Sequence, residues 1–258
     1  MAYENVLVEK IEHIGVITLN RPDSLNTFTT DLARELNEAL DELEQDAETR
    51  VVIIKSNGKA FCAGIDVNEM SGKNTLEQFN WVALMERMSL TIAKMGKPVI
   101  ASVQDMAIAN GTGIVASADL AVAAEGARFG TTAVNVGLFC MGPAVPLSRH
   151  VGKKKALEML LTGDIIDAAE AERIGLVNKV VPKDKLDEET MKLAQKIAAK
   201  SPLAVQSGKK SFYKMCDLEY DKAFELVNNH FAILCSTEDA GEGVNAFLEK
   251  RKPQWKLR

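Results

Sequence analysis

Three short apolar runs constrain the fold of this sequence more than any other feature. VVIIK (51–55), PVIASV (98–103) and DLAVAA (119–124) consist mostly of valine, isoleucine and alanine, and each carries at most one charge. Continuous apolar runs of this length are typical of strands that are buried on both faces of a parallel sheet. A helical pattern over Leu76–Lys94 separates the first two runs, which indicates an α/β domain. The intervals between the strands are irregular, which argues against a plain doubly wound sheet.

The chain begins with a predicted hairpin and a predicted helix. VLVEKI (6–11) and GVITL (15–19) are β-rich runs, and Glu12, His13 and Gly15 lie at the turn between them. Four leucines at helical spacing predict a helix over Thr30–Gln45, capped by Thr29 or Thr30.

After Ser201-Pro202 the pattern is helical only. Ser236 and Asp239 resemble a capping box that opens a final helix through Lys250. The apolar face formed by Tyr220, Phe224, Val227 and Phe231 must therefore pack on the core or on another subunit.

Composition narrows the function classes. The 258 residues are 47% hydrophobic and 26% charged, with a net charge of −5, so nucleic acid is not favoured as a partner. Cys62, Cys140, Cys216 and Cys235 show no CxxC pairing, which predicts a reduced intracellular protein without a metal site. The first residues do not resemble a secretion signal, and no apolar run is long enough to span a bilayer. We therefore expect a cytoplasmic protein.

Two loops that combine glycine with small residues are candidate ligand sites. GKAFCAGID (58–66) and AIANGTGIVASAD (107–119) each follow a predicted buried strand. Glycine lets a ligand approach the backbone closely, and free N–H groups at the start of a helix can receive an anion. Tight structural turns are the alternative. A phosphate cradle is a weaker one, because neither GxxxxGK[ST] nor GxGxxG is present.

Reactive side chains are scarce. The histidines at 13, 150 and 230 are isolated, and no Gly-x-Ser-x-Gly or HExxH motif occurs. Cys140 lies in FGTTAVNVGLFCMGP (129–143), a stretch without acidic, basic or histidine residues, and it is either a nucleophile or a small buried hydrophobe. Asp66 is expected to cap a helix, Glu69 to reach the pocket or solvent, and Asp119 to be a structural hydrogen-bond acceptor.

Five segments together resemble the successive blocks of the crotonase (enoyl-CoA hydratase/isomerase) family. They are NRPDSLNTF (20–28), GKAFCAGIDVNEM (58–70), the stretch 97–130, LLTGDIIDAAEAERIGLVNKVV (160–181) and FLEKRKPQW (247–255). The resemblance runs in order from about residue 5 to residue 255. It implies an α/β fold, with a spiral of ββα units over residues 1–199 and a helical trimerisation region over residues 200–258. A homotrimer or a hexamer built as a dimer of trimers is implied as well.

The resemblance also implies a site. The substrate would be an acyl-CoA thioester, with coenzyme A entering as part of the substrate and with no separate cofactor. The backbone N–H groups of Ile65 and Asn110 would form an oxyanion hole. The implied substrate-binding residues are Ala63, Gly64, Ile65, Asp66, Asn68, Asn110, Gly111 and Ala133.

The sequence departs from the family where hydratases carry two glutamates. Those positions fall on Gly113 and Ala133, and the acidic positions of some isomerases and dehalogenases fall on Asn135 and near Met141. General acid–base catalysis contributes about 10²–10⁴-fold, so ordinary hydratase activity should be severely reduced. We expect an enzyme that uses Asn135, Cys140 or a carboxylate from elsewhere, as a hydratase, isomerase or thioester hydrolase. A non-catalytic acyl-CoA binder is the alternative, and RNA binding is a weaker one.

Overall fold

The computed structural model describes residues 3–257, which form two sheets and ten helices. The predicted regions 1–199 and 200–258 therefore extend slightly beyond the described residues, at residues 1, 2 and 258. The strands are β1 Val6–Ile11, β2 Ile14–Leu19, β3 Val51–Ser56, β4 Ala60–Cys62, β5 Val99–Val103, β6 Met106–Ile108, β7 Leu120–Ala124, β8 Arg128–Gly130, β9 Ile165–Asp167 and β10 Lys179–Val181. The helices are α1 Thr30–Gln45, α2 Thr75–Lys94, α3 Asn110–Ser117, α4 Met141–His150, α5 Lys153–Thr162, α6 Ala168–Arg173, α7 Leu186–Ala198, α8 Pro202–Met215, α9 Tyr220–Cys235 and α10 Glu238–Leu248.

The two sheets are built by repeated ββα units. The larger sheet has the order β1-β2-β3-β5-β7-β10 and is parallel except for the β1–β2 hairpin. The smaller sheet has the order β4-β6-β8-β9. In each of three successive units, β3-β4-α2, β5-β6-α3 and β7-β8-α4, the first strand joins the larger sheet and the second joins the smaller one. This arrangement confirms the predicted α/β fold of ββα units and explains the irregular strand spacing.

The main core lies between the two sheets and the helices that pack on them. Val52 and Ile54 of β3 enter this core together with Phe61 of β4 and Phe129 of β8. The alternate residues of β3 point to the opposite face of the larger sheet, where α7 covers them. Burial on both faces is what the apolar runs predicted.

Most predicted elements are confirmed, and two details are corrected. α1 spans the predicted residues, and its cap is Thr29, whose hydroxyl accepts from the N–H of Leu32 at 3.2 Å. The segment 107–119, predicted as a loop, is instead mostly helix, because α3 begins at Asn110. Ser236 does not cap the last helix: Thr237 does, and its hydroxyl accepts from the N–H of Ala240.

The chain after residue 200 consists of α8, α9 and α10 and a short tail. Asp119 fastens α8 to the core, because its carboxylate pairs with Lys209 at 2.6 Å and accepts from the Tyr213 hydroxyl at 2.9 Å. The predicted structural role of Asp119 is therefore confirmed. The predicted apolar face of α9 is exposed in the single chain, with Tyr220 at 81% and Phe231 at 67% of their full exposure. Within residues 3–257, no helix is long and apolar enough to cross a membrane.

Candidate active site

In the first glycine loop, residues 58–66, the N–H of Ile65 points away from the neighbouring segment at Phe28. Phe28 donates its N–H to the carbonyl of Gly64 at 2.8 Å and accepts from the N–H of Asp66 at 2.9 Å. In this parallel bridge the N–H and carbonyl of the middle residue, Ile65, point away from Phe28. Gly64 has a φ of +98°, a backbone conformation that glycine adopts far more readily than other residues. The chain turns at this residue.

The second loop ends in an abrupt turn into α3. Ala109 has a φ of 50° and a ψ of −111°, and Asn110 is the first residue of the helix. The N–H of Asn110 therefore has no carbonyl one helical turn earlier to bind. The hydroxyl of Thr112 fixes the turn, because it lies 2.7 Å from the Ala107 carbonyl and 2.9 Å from the Gly130 carbonyl. Every residue of α3 is buried.

The two loops are in direct contact. A Cβ on Gly111 would lie 2.2 Å from the carbonyl oxygen of Cys62, so only glycine fits there. A Cβ on Gly64 would lie 3.0 Å from the Cβ of Ala109. The segments that carry the N–H groups of Ile65 and Asn110 are therefore neighbours.

A carboxyl group from outside both loops reaches this place. Glu86 of α2 is half-buried, and its Oε1 lies 3.5 Å from the side-chain nitrogen of Asn110. Burial raises the pKa of Glu86 to about 7, although the Asn110 contact opposes the shift. The carboxyl rests against α4, because a Cβ on Gly142 would lie 1.9 Å from the Glu86 Cδ.

The thiol of Cys140 interacts with the same carboxyl and with the backbone of Ala133. Burial raises the pKa of the Cys140 thiol, a hydrogen bond from the Ala133 backbone lowers it, and the charge of Glu86 raises it further. A raised pKa favours the neutral thiol, which is the weaker nucleophile. A Cβ on Gly113 would lie 3.2 Å from the ring of Pro143, so a larger residue there would press on α4.

The remaining candidates are Asn135, Asp66, Asn68 and Ala63. Asn135 is exposed, and its amide lies 2.9 Å from where a Cβ on Gly163 would stand. Asp66 caps the short turn at Val67–Glu69, as predicted, and accepts from the N–H and the side chain of Asn68. Ala63 is fixed by a hydrogen bond from its N–H to the carbonyl of Leu25.

Glu69, predicted to reach the pocket or solvent, is partly exposed, but its carboxylate is engaged by neighbouring groups. Its carboxylate accepts from the N–H and the hydroxyl of Thr30 and from the indole of Trp81. Burial raises its pKa, but these hydrogen bonds outweigh that effect and hold the pKa below its usual value. Glu69 is therefore a structural residue that ties the first loop to α1 and α2.

Sequence reasoning missed Glu86 and Gly142. Glu86 follows Met85, at the edge of the buried stripe of α2 formed by Trp81, Met85 and Met88. A charged residue next to a buried stripe is a weak signal, because most such residues extend into solvent. Only the crossing of α2 over α3 and α4 distinguishes it.

The sequence model of the enoyl-CoA hydratase/isomerase family matches residues 9–258. The chain belongs to this family. A probable enoyl-CoA hydratase from Rhizobium meliloti is 37% identical over 261 residues and covers 100% of both chains. A crotonyl-CoA hydratase from Syntrophomonas wolfei is 37% identical and covers 98% of both chains. This enoyl-CoA hydratase/isomerase family member is accordingly an enzyme of a lyase and isomerase family.

Solved structures of the enoyl-CoA hydratase/isomerase family share the fold. A crystal structure of an enoyl-CoA hydratase from Mycobacterium smegmatis superposes with a TM-score of 0.94 at 40% identity and covers 98% of this chain and 99% of that one. Human enoyl Coenzyme A hydratase domain-containing protein 3 superposes with a TM-score of 0.94 at 36% identity, covering 98% and 100% of the two chains.

Proposed function

We propose that this protein binds an acyl-CoA thioester and polarises its carbonyl between the N–H groups of Ile65 and Asn110. The observation that carries the proposal is the contact between the two loops. The N–H of Ile65 points away from Phe28 and is free to bind a ligand. Asn110 is the first residue of the buried helix α3. Gly111 allows the start of α3 to pack directly against the backbone of Cys62 in the first loop. Two backbone donors in a partly dry site suit an oxygen that becomes negatively charged.

The chemistry requires donors that are already in place. Removing or adding a proton next to a thioester carbonyl passes through an enolate, whose charge lies on the oxygen. Losing one preorganised donor in such a site costs about 3–4 kcal/mol of barrier. A backbone donor permits Asn110 where a glycine is usual, because the side chain takes no part in the hydrogen bond to the oxygen.

The proposed site lacks the loop glutamates of ordinary hydratases. Gly113 and Ala133 stand where the resemblance places them, and neither has a group that can hold or move a proton. A wall that includes residues 129–143 suits an apolar acyl group. By the family resemblance, Ala63, Asp66 and Asn68 would line the site for the adenine and pantetheine.

A non-catalytic acyl-CoA binder is the second candidate. It is favoured by the exposure of Asn135 and by the raised pKa of Cys140, because both leave the site without the replacements that the sequence offered. It requires that Glu86 plays no chemical part.

The exposed helices support a proposal of assembly. Tyr220, Phe224 and Phe231 of α9 are aromatic and exposed in the single chain, so a homotrimer, or a hexamer made of two trimers, would bury them. A cytoplasmic location stays a prediction, since curated relatives include a mitochondrial protein of Dictyostelium discoideum.

The test is the spectrum and affinity of bound cinnamoyl-CoA. Its conjugated thioester absorbs at longer wavelength when its carbonyl is polarised, so the parent protein should bind it with a red shift. Gly111→Ala should weaken binding at least about tenfold or abolish the shift, because the new Cβ must displace the start of α3 from Cys62.

The matched control is Gly126→Ala, because a Cβ there has no neighbour within 4 Å. It should bind and shift like the parent, and melting curves should show that all three proteins are folded. Tight binding without a red shift would contradict the oxyanion hole, and absence of binding by the folded parent would contradict the site as a whole.

A further inference from the structure

Three helices meet around the carboxyl group of Glu86. α2 supplies the residue, Asn110 stands at the start of α3, and Gly142 lies in the first turn of α4. The carboxyl is fixed from two sides, by the 3.5 Å contact with Asn110 and by the backbone of Gly142. A carboxyl held in this way has a defined position, unlike one that extends into solvent.

The position of Gly142 is specific to this arrangement. A Cβ there would lie 1.9 Å from the Cδ of Glu86 and 2.0 Å from its Oε1. Any other residue would therefore force the carboxyl out of its present position. Gly142 has the backbone conformation of an ordinary helical residue, so the backbone does not require a glycine there. The glycine is required because only its missing side chain leaves room for the Glu86 carboxyl.

Asn110 joins the carboxyl to the proposed oxyanion hole. Its side chain contacts Glu86, while its backbone N–H is one of the two proposed donors. The carboxyl therefore lies within one residue of the place where the thioester oxygen would sit. The α and γ carbons of an unsaturated acyl group lie close to that oxygen.

The protonation state suits proton transfer. Burial raises the pKa of Glu86 to about 7, so both forms are populated near neutral pH. Within residues 3–257, Cys140 is the titratable group that interacts with this carboxyl, and its own raised pKa keeps it neutral. A base that is half ionised at working pH can both take a proton and return it.

We infer that Glu86 is the acid–base residue of this site and that it moves a proton between the α and γ carbons of a β,γ-unsaturated acyl-CoA thioester. The inference rests on the proposed function, because it needs the thioester oxygen at Ile65 and Asn110. It replaces the missing loop glutamates with one carboxyl from α2. The protein is then an enoyl-CoA isomerase and not a hydratase.

The proton balance closes with one group. The Glu86 carboxylate takes a proton from the α carbon, and the electron pair of that C–H bond moves into the enolate, whose oxygen is held by the two N–H groups. The carboxylic acid then gives the same proton to the γ carbon. As the enolate returns to a thioester carbonyl, the double bond shifts from the β and γ carbons to the α and β carbons. No atom or electron is gained or lost overall.

Hydration would need more than this site offers. A water must be held and deprotonated at the β carbon while another proton reaches the α carbon, which the two glutamates of ordinary hydratases divide between them. Of the residues that the structure describes, Glu86 is the one carboxylate that contacts Asn110 and rests on Gly142. A single shuttle matches a 1,3-proton shift.

The experiment compares two substrates and three variants. The parent protein should convert 3-butenoyl-CoA to crotonyl-CoA, followed by the rise in conjugated-thioester absorbance, and should hydrate crotonyl-CoA far more slowly. Glu86→Gln should lose about 10²–10⁴-fold in kcat and keep its affinity for butyryl-CoA, measured by calorimetry.

Gly142→Ala should also lose activity, because it displaces the carboxyl without removing it. The control Arg87→Gln changes the next residue of α2, whose partner is Asp41, and should retain parental activity.

A second readout avoids dependence on one substrate. In heavy water the parent should exchange the α protons of bound butyryl-CoA, seen as a gain in mass, and Glu86→Gln should not. If the parent binds butyryl-CoA but Glu86→Gln isomerises and exchanges as fast as the parent, the role of Glu86 is wrong while the thioester site stands. Binding without isomerisation or exchange, or hydration faster than isomerisation, also overturns the inference. Failure of the folded parent to bind any thioester instead refutes the proposed function.

Discussion

Ala109 shows how a single residue sets the position of a backbone donor. Its φ of 50° and ψ of −111° belong to a region that glycine enters far more readily than alanine, and such strain costs about 1–3 kcal/mol. The strain persists because neighbours hold the turn: Ala109 donates its N–H to Gly130, and its carbonyl accepts from Gly113. Relief of the strain is therefore measurable without loss of the turn.

We expect Ala109→Gly to raise the free energy of unfolding by about 1 kcal/mol, because relief of strain exceeds the extra chain entropy of glycine. Urea unfolding measures the change. The control is Ala232→Gly, at an exposed position within α9 where the backbone is helical. It should lower the free energy of unfolding by about 1 kcal/mol. Equal losses at the two positions would show that Ala109 is not strained.

Glu86 makes stability depend on pH in a direction opposite to that of a paired carboxylate. Its pKa rises from 4.5 in the unfolded chain to about 7 in the fold, so the folded state holds the proton more tightly. The free energy of unfolding of the parent should therefore fall as pH rises from about 4.5 through 7. Glu86→Gln has no carboxyl to ionise at this position, so it should not show this decrease. At pH 8 the variant should be more stable by up to about 3 kcal/mol, and near pH 4 the two should match. Parallel stability curves from thermal unfolding would contradict the raised pKa.

At the scale of elements, the attachment of α8 depends on one buried ion pair. Asp119 accepts from the N–H of Val99 at 2.7 Å, pairs with Lys209 at 2.6 Å and accepts from Tyr213. Lys209 also donates to the carbonyl of Lys97 at 2.9 Å, and its side chain is only 7% exposed. Breaking a buried pair by removing one partner is costly because it leaves the other charge without compensation.

We expect Asp119→Asn to destabilise the protein by about 3–5 kcal/mol, since it leaves the buried Lys209 ammonium without the carboxylate that pairs with it. Asp119→Asn combined with Lys209→Met should be less destabilised than Asp119→Asn alone, because it removes that ammonium as well. Chemical unfolding of the parent, the two single variants and the double variant completes the cycle. Additive losses would show that the pair is not coupled.

The elements that the sequence predicted are those with long periodic patterns. α1 and α2 have stripes of buried residues, and β3, β5 and β7 are continuous apolar runs, so local pattern and burial agree. The smaller sheet was missed because β4, β6, β8 and β9 have three residues each, too few to show a period. Thr237 was missed as a cap because Ser236 beside it has the same chemistry. The position of Glu86 could not be found from sequence, since its carboxyl rests against Gly142, 56 positions away in the chain.

At the scale of the whole molecule, α9 and α10 expose several large apolar side chains, most of them aromatic. Tyr220, Phe224 and Phe231 on α9, with Phe247 and Leu248 on α10, are between 52% and 82% exposed. A soluble protein seldom leaves several large aromatic residues together in water, and such surfaces mark interfaces. The rings of Tyr220 and Phe224 pack edge to face, with their centroids 5.1 Å apart.

We expect the parent protein to run as three or six copies in size-exclusion chromatography with light scattering. Phe231→Glu should yield a smaller species at the same concentration, because a carboxylate in an apolar interface loses its hydration without gaining a partner. The fold of the single chain should persist, since Phe231 is 67% exposed and lies outside the main core. Leu7→Glu is the control: Leu7 is also exposed, at 48%, but lies on β1, far along the chain from α9. Equal masses for the parent and Phe231→Glu would show that α9 does not form the interface, and a monomeric parent would exclude assembly altogether.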